Sequence, residues 1–481
     1  MQRIFYFIAV IIVTSFLFGW MGFKNPEKSP VRIAGLKPSL ADSAQLNYQN
    51  FCGGCHGEKM DAFVDRKWKH GSSKAEMYKA IKFGYADEGM PAFQAAFTDK
   101  AVNDLADYIV AGVENVKRYD LNAIVIKENY FPSESLAIKL DTILRDAKLP
   151  WGIAFLPGGG LLVTDRSGKL YKKTGRNNVD TIAGLPPVLA EGQGGLLDIV
   201  LHPQFAKNKF IYLSYSAFKK TDSGVVATTA IMRAALEGNH LANQKIIFEA
   251  LPYSKTRHHY GSRMLFGRDG KLYFSVGERG NEKQNPQTTT NDLGKIHRIN
   301  DDGSIPQDNP FVHTAGAKPS IYSYGHRNPQ GLLLYPPTGA IWETEHGPRG
   351  GDELNLVKKG ANYGWPVITY GINYDGRIMS KISAAPGMEQ PLTYWIPSIA
   401  PSGMAFVSGD RYPQWKGNLL VGSLRFKYLN RCVLKGNKVV HQEMLLKNIG
   451  RLRDVRMGPD GYIYVAVEGG YVFRLVPVAK K

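Results

Sequence analysis

Two thiols three positions apart with an imidazole directly after them, Cys52-Gly-Gly-Cys55-His56, have the types and spacing that attach a haem covalently. Each thiol adds to one vinyl group, and His56 becomes an axial ligand of the iron. The second axial ligand is expected in Glu88-Gly89-Met90-Pro91-Ala92-Phe93, where the Met90 thioether sits in a tight turn. His/Met ligation raises the reduction potential and suits an electron carrier. Met60 and Met77 are weaker candidates, Met77 because the run from Ala75 to Lys82 reads as helix and the side chain as core. A zinc reading of the CxxC needs a second ligand pair, but the chain has only one other cysteine, Cys432, which reads as a small buried hydrophobe.

The elements that must carry this motif are helical. Residues 41–118 have the size of a small all-α cytochrome c domain: an amphipathic stretch, the haem motif, a helix near Ala75, the Met90 turn and a last helix. Thr98 caps that last helix, whose apolar positions are Val102, Leu105, Ala106, Ile109 and Val110. Ahead of it, residues 24–40 form a Lys- and Pro-bearing linker. Ile4 to Phe23 is twenty positions without a charge, long enough as a helix to span roughly 30 Å, and so a membrane anchor or an export signal. The length favours the anchor over a signal peptide, which has a shorter apolar core and a small-residue cleavage site. Covalent haem attachment occurs on the outer side of the bacterial inner membrane, so the chain after Phe23 is expected in the periplasm.

With 481 residues, 43% of them hydrophobic, the chain is expected to fold as more than one unit. The net charge of +18 is spread along the sequence without a nucleic-acid fold motif, which argues against a nucleic-acid partner and for anionic lipid or an acidic electron-transfer partner. Beyond a second linker, 119–138, the pattern changes to short apolar strands separated by Gly, Pro and Asp turns. A weak repeat begins at Trp151, Gly195, Ser262, Gln330, Ser402 and Asp454. Six strand–turn–strand units over 139–478 predict an all-β, six-bladed propeller whose loops converge on its axis.

Four polar clusters lie between those strands: Arg257-His258-His259-Tyr260-Gly261, Gly325-His326-Arg327-Asn328-Pro329-Gln330-Gly331, the acidic loop from Glu345 to Glu353, and Arg451-Leu452-Arg453-Asp454. Arg451 and Arg453, two apart on a strand, share a face and with Arg327 suit several carboxylates or a phosphate. The clusters resemble the soluble PQQ-dependent aldose sugar dehydrogenases, a family of six-bladed propellers. The likeness runs from about Leu149 to Leu475 on GHRNPQG at 325–331, EHGPRGGDELN at 345–355, NYGWP at 362–366, GSIPQDNP at 303–310 and RLRDV at 451–455.

The resemblance implies roles. The family's base, the first histidine of His-x-x-Gly, falls on His258, with Glu278 as its acidic partner. Gln193 would line the substrate pocket and His259 is a further substrate-contact candidate. The tricarboxylate quinone PQQ would be held by Arg327, Asn328, Arg425, Arg451 and Arg453. Calcium beside the quinone would take the Gly347 and Pro348 carbonyls, and a second, structural calcium Glu353 and the Tyr363 carbonyl, oxygen ligands that suit a hard cation. Soluble glucose dehydrogenase has an aspartate where this chain has Arg257 and a glutamine where it has His346, which leaves the sugar unnamed. The expected activity is oxidation of an aldose at C1 to the lactone, with electrons passing through the haem c to a respiratory acceptor. A calcium-dependent lactonase, a PQQ dehydrogenase of another alcohol or an aldehyde, and a non-enzymatic receptor are the alternatives; the arginine cluster and the haem speak against the first and the last.

Overall fold

The structure, a computed structural model, describes residues 40–56, 60, 68–119, 126, 128–175, 177–280, 284–374 and 377–480, apart from the side chains at 40–42, 54, 55, 114–119 and 146. The apolar run Ile4–Phe23 and the Cys55 side chain lie outside what is described. Among the described residues no helix is long and apolar enough to cross a membrane.

The helical N-terminal unit is built from Leu40–Asn47, the haem-motif helix Gly53–His56, Lys74–Phe83 and Asp99–Tyr119. Ser73 and Glu76 cap the third of these reciprocally, side chain to backbone in both directions. The Thr98 hydroxyl accepts from the Ala101 N–H at 3.3 Å at the start of the last helix, as its sequence predicts. Val102, Leu105, Ala106, Ile109 and Val113 of that helix bury one face against Tyr48, Cys52, Met60, Met77, Ile81 and Phe93. Met77 is therefore core, and Met90 packs partly buried against the same cluster.

The rest is a six-bladed propeller. Five sheets have four strands and the sixth has five. Each sequence repeat meets the first strand of a blade: Pro150–Phe155, Leu196–Leu201, Met264–Phe266, Pro329–Leu334, Pro401–Phe406 and Leu452–Met457. Adjacent sheets touch mainly through these strands, which places them around the axis. They are buried at most positions, so they read as apolar runs rather than as alternation. The last blade closes the ring by pairing Ala137–Ala147 with the C-terminal strand Gly470–Val478, Leu140 opposite Leu475. That pairing leaves neither chain end as a bare sheet edge of this blade.

Charged side chains tie the inner strands together. Arg263 Nη1 lies 3.1 Å from both Asp198 and Asp454, and Arg456 reaches the same two carboxylates at 3.1 and 2.9 Å. Arg263 also lies over the Trp151 ring, 4.1 Å from its centroid. Three blades thus share one buried, mutually neutralising ion network, the condition under which charges are tolerated in an interior, and the first blade joins it through the Trp151 ring.

Because first and second strands are antiparallel, the residues that precede each first strand and follow each second strand emerge at the same end of the propeller. Gln193, His259, Arg327 and Arg451 precede first strands; Glu278, Glu345, Arg425 and Glu468 end or follow second strands. The fold gathers the chemistry at one mouth.

Candidate active site

The loop that enters the third blade presents two histidines, and the structure separates their roles. Glu278 Oε1 lies 2.6 Å from His259 Nδ1, not on His258, and its other oxygen accepts the Gly280 N–H at 2.6 Å. The acidic partner expected for His258 therefore belongs to its neighbour. The cause is local backbone: His259 has φ +54, a left-handed turn that swings its ring towards the second strand of the blade. Gly261 makes the close crossing possible, since at φ +63 a Cβ there would sit 2.8 Å from the Gly277 nitrogen. Gln193 Oε1 accepts the His259 N–H at 2.8 Å, which brings the expected pocket glutamine onto the same histidine.

His258 stands edge-on to His259, ring centroids 4.5 Å apart, and its Nδ1 has no hydrogen-bond partner among the described residues. Burial, then the charges of Arg327, His346 and Arg279, hold His259 well below the ordinary histidine range; burial and the neighbouring His259 do the same to His258. Both rings are neutral at pH 7. Burial pushes Glu278 up, against the pull of Arg327 and His258.

Around this dyad stand the cations. Arg327 is buried and donates to the His346 and Gly347 carbonyls at 3.1 and 2.9 Å, while its Nε is unpartnered among the described residues. Asn328 gives its Oδ1 to the Gly261 N–H at 3.0 Å, which leaves the buried Nδ2 without a partner there too. Arg451 and Arg453 meet on Glu468 at 2.8 and 2.5 Å. Burial alone would raise Glu468, but the two guanidiniums hold it far below the usual carboxylate range. Arg425 bonds only weakly to the Ser398 carbonyl, at 3.4 Å. His346 Nε2 donates to the Pro401 carbonyl, 2.7 Å away, and the ring is pushed down to about 3 by burial and by Arg327. Cations outnumber anions at this mouth, and several buried donors await an acceptor. That donor set fits a tricarboxylate quinone.

The expected calcium positions differ from each other. The Gly347 carbonyl accepts from Arg327, and its loop is anchored by buried Asp352, which takes the Gly347, Ile399 and Ala400 N–H groups at 2.8, 2.7 and 2.9 Å. Glu353 sits in a denser acidic nest: Glu343 faces Asn355 and Glu345 faces Glu353 across the second and third strands of the fourth blade. Ligand atoms of His326, Glu343 and Glu345 lie within 4.8 Å of one another, and Tyr363 stacks on His326 at 4.4 Å. Burial and then Glu345 push Glu343 up to about 7 and hold Glu353 well above the ordinary carboxylate range, while the carboxylates overcome burial to raise His326 to about 9. His326 Nδ1 lies 3.5 Å from Glu343 and 3.6 Å from Glu345, while Glu343 Oε2 and Asn355 Oδ1 are buried without a hydrogen-bond partner among the described residues. Two buried carboxylates and the half-buried Glu353, with a spare oxygen on Glu343, fit a hard divalent cation.

Sequence reasoning missed Glu468, Asp352 and Arg279. Arg279 lies buried with its guanidinium 3.5 Å from the Tyr260 ring centroid and one nitrogen on the Thr256 carbonyl at 2.7 Å. Glu468 had a signal, an acidic residue directly after the last blade's second strand, one position short of where Glu278 follows the second strand of the third. On the cytochrome side, Cys52 is buried, His56 ends its helix half-buried, and the Met90 turn is closed by paired Tyr85–Met90 backbone hydrogen bonds of 2.8 and 3.1 Å.

Residues 147–474 match the family model described as Glucose / Sorbosone dehydrogenase, and residues 39–109 match that of the cbb3-type cytochrome c oxidase subunit III. The Escherichia coli aldose sugar dehydrogenase YliI is 42% identical over 325 residues, 66% of this chain and 87% of that protein. A crystal structure of a glucose dehydrogenase is 44% identical and superposes with a TM-score of 0.68 over 71% of this chain and 100% of its own. The PQQ-bound aldose sugar dehydrogenase of Streptomyces coelicolor is 28% identical, with a TM-score of 0.59 over 72% of this chain and 100% of its own.

Proposed function

The chain belongs to the glucose/sorbosone dehydrogenase family of oxidoreductases and carries an N-terminal cytochrome c domain, and from that premise we propose that it is a PQQ-dependent dehydrogenase oxidising an aldose at C1 to the lactone, its own haem c receiving the electrons. The observation that carries the reading is the His259–Glu278 pair, 2.6 Å apart, at the centre of an arginine-lined mouth.

His259 is the base. Its Nδ1–H donates to the Glu278 carboxylate, which selects the tautomer with a lone pair at Nε2. That nitrogen takes the proton of the anomeric hydroxyl, and Glu278 stabilises the imidazolium that forms. Depression by burial and cations keeps the ring unprotonated until a substrate proton reaches it. Gln193 fixes the His259 backbone from the exposed rim, where a sugar hydroxyl would arrive. Arg327, Asn328, Arg451 and Arg453, with Arg425 at the edge, hold the carboxylates of the cofactor, Glu468 keeping the two sixth-blade guanidiniums oriented. Bound there, PQQ would supply the acceptor for the hydride leaving C1, and calcium at the Gly347–Pro348 carbonyls a Lewis acid beside it.

The covalent-haem motif and the apolar run Ile4–Phe23 support a bacterial periplasmic location, with that run as anchor or leader and a respiratory-chain protein as the external acceptor. The test of the base is a pair of variants assayed with PQQ, calcium and an artificial dye. His259→Gln should lower kcat by about 10²–10⁴-fold, and His258→Gln far less. The reverse ranking would return the role to His258.

A further inference from the structure

Among the described residues the cytochrome and the propeller meet at three points, and each lies within one or two residues of a group that matters to chemistry. The first is the turn before Met90. Gly89, at φ +87, lies so close to the imidazole that a Cβ added there would be 2.8 Å from His258 Nδ1. Any other residue would be strained by that φ and would strike the ring. The second is Phe51, adjacent to the haem-motif Cys52, whose ring lies 4.3 Å from the guanidinium of Arg349, two residues from Gly347. The third is Lys69, whose ammonium reaches Glu191 at 3.3 Å; Glu191 in turn takes Arg257 Nε at 3.0 Å, one residue before His258. Lys69 also lies 3.7 Å from Glu88, which binds His70 at 3.2 Å. Both segments that carry haem ligands are thus turned towards the loops that carry the dyad and the carbonyls.

His258 occupies the middle of this junction. One side of its ring meets His259, the other the Gly89 turn, and Gly280 closes against its Nε2. It holds no carboxylate, and its Nδ1 is the buried, unpartnered atom that faces the cytochrome.

We propose that the cytochrome domain docks with its haem-ligand face on the mouth of the propeller, latched by Lys69–Glu191 and Phe51–Arg349, and that His258 is the positioning residue that spans the gap between the sugar-oxidising centre and the Met90 turn. The purpose assigned to the contact rests on the dehydrogenase reading above; the contact itself does not. In that arrangement the contact would give the two electrons of a reduced quinone bound at the mouth a path, taken singly, to a haem held by the cytochrome domain. A one-electron acceptor reoxidises the haem between transfers, and two protons pass to water. The Lys69–Glu191 pair is partly exposed, so the latch is weak and salt-sensitive, as a contact that must form and release requires.

The test uses the full-length protein. A zero-length carbodiimide, applied without PQQ, should join Lys69 to Glu191 in a peptide found by mass mapping. Lys69→Glu and Glu191→Lys should each slow sugar-driven haem reduction about tenfold, leave dye-linked turnover within about twofold, and together recover most of the lost rate. Absence of the cross-link with haem reduction unchanged in both single variants would overturn the docking. If wild-type protein cross-links at these residues but oxidises no sugar with dye, the docking stands and the dehydrogenase reading falls.

Discussion

At the scale of single residues, the site turns on which of two adjacent histidines holds a carboxylate. His258 and His259 have the same type and nearly the same position, and their separation is made by a φ of +54 at His259. Residue type and spacing carry no sign of that angle, because histidine rarely adopts it and nothing beside it demands it. This is why the pocket's inventory, Arg327, Asn328, Arg451, Arg453, Gln193 and Glu278, was legible in the motifs while the pairing inside it was not. Glu278→Gln keeps the shape and removes the charge. It should lower kcat by about a hundredfold or more with substrate affinity little changed, because it acts on the imidazolium that forms only as the proton moves. A large rise in KM with kcat unchanged would instead mark Glu278 as a ground-state binding group.

At the scale of elements, the six repeats were readable because every first strand is buried and each therefore carries the same apolar run before its turn. The ring closure was less so: Ala137–Ala147 pairs with Gly470–Val478, and no local pattern announces a partner more than 300 positions away. The network that locks the inner strands was read only in part, Asp454 being visible beside the arginines but its partner Arg263, and the Asp198 that Arg263 also binds, lying in other blades. Removing one partner from such a buried set leaves charge uncompensated. Asp454→Asn should therefore destabilise the propeller by about 3–5 kcal/mol in chemical denaturation, and a loss under about 1 kcal/mol would show that the network is not fully desolvated. The fourth blade offers a second test. Glu343, Glu345 and Glu353 crowd together with the single positive charge of His326 between them, so calcium added to chelator-treated protein should raise Tm, by about 2.7 kcal/mol of stabilisation at a hundredfold excess over Kd. Glu353→Gln should shrink that rise, and an unchanged response would move the ion to another place.

For the whole molecule, acid stability follows from histidines buried in their neutral form. His297, between Ser320 and the Asp292 carbonyl at 3.0 Å each, is pushed down to about 4, chiefly by burial. Its folded value lies below the unfolded one, so the unfolded chain binds the extra proton. The stability it contributes is present above about pH 6.5 and is lost as pH falls through about 4, up to about 3 kcal/mol. The stability difference between wild type and His297→Gln should shrink over that window, and a constant difference would mean the ring is already charged in the folded protein.

The two domains read separately in the sequence, one by its CxxCH and the other by its propeller motifs, and their joint purpose is what the account finally claims. The direct measurement is anaerobic visible spectroscopy of the oxidised, haem-loaded protein with PQQ and Ca²⁺ after an aldose is added. The ferrous haem bands should appear only when sugar and PQQ are both present, and vanish in His259→Gln. Sugar oxidation detected by dye while the haem stays ferric would contradict that joint purpose.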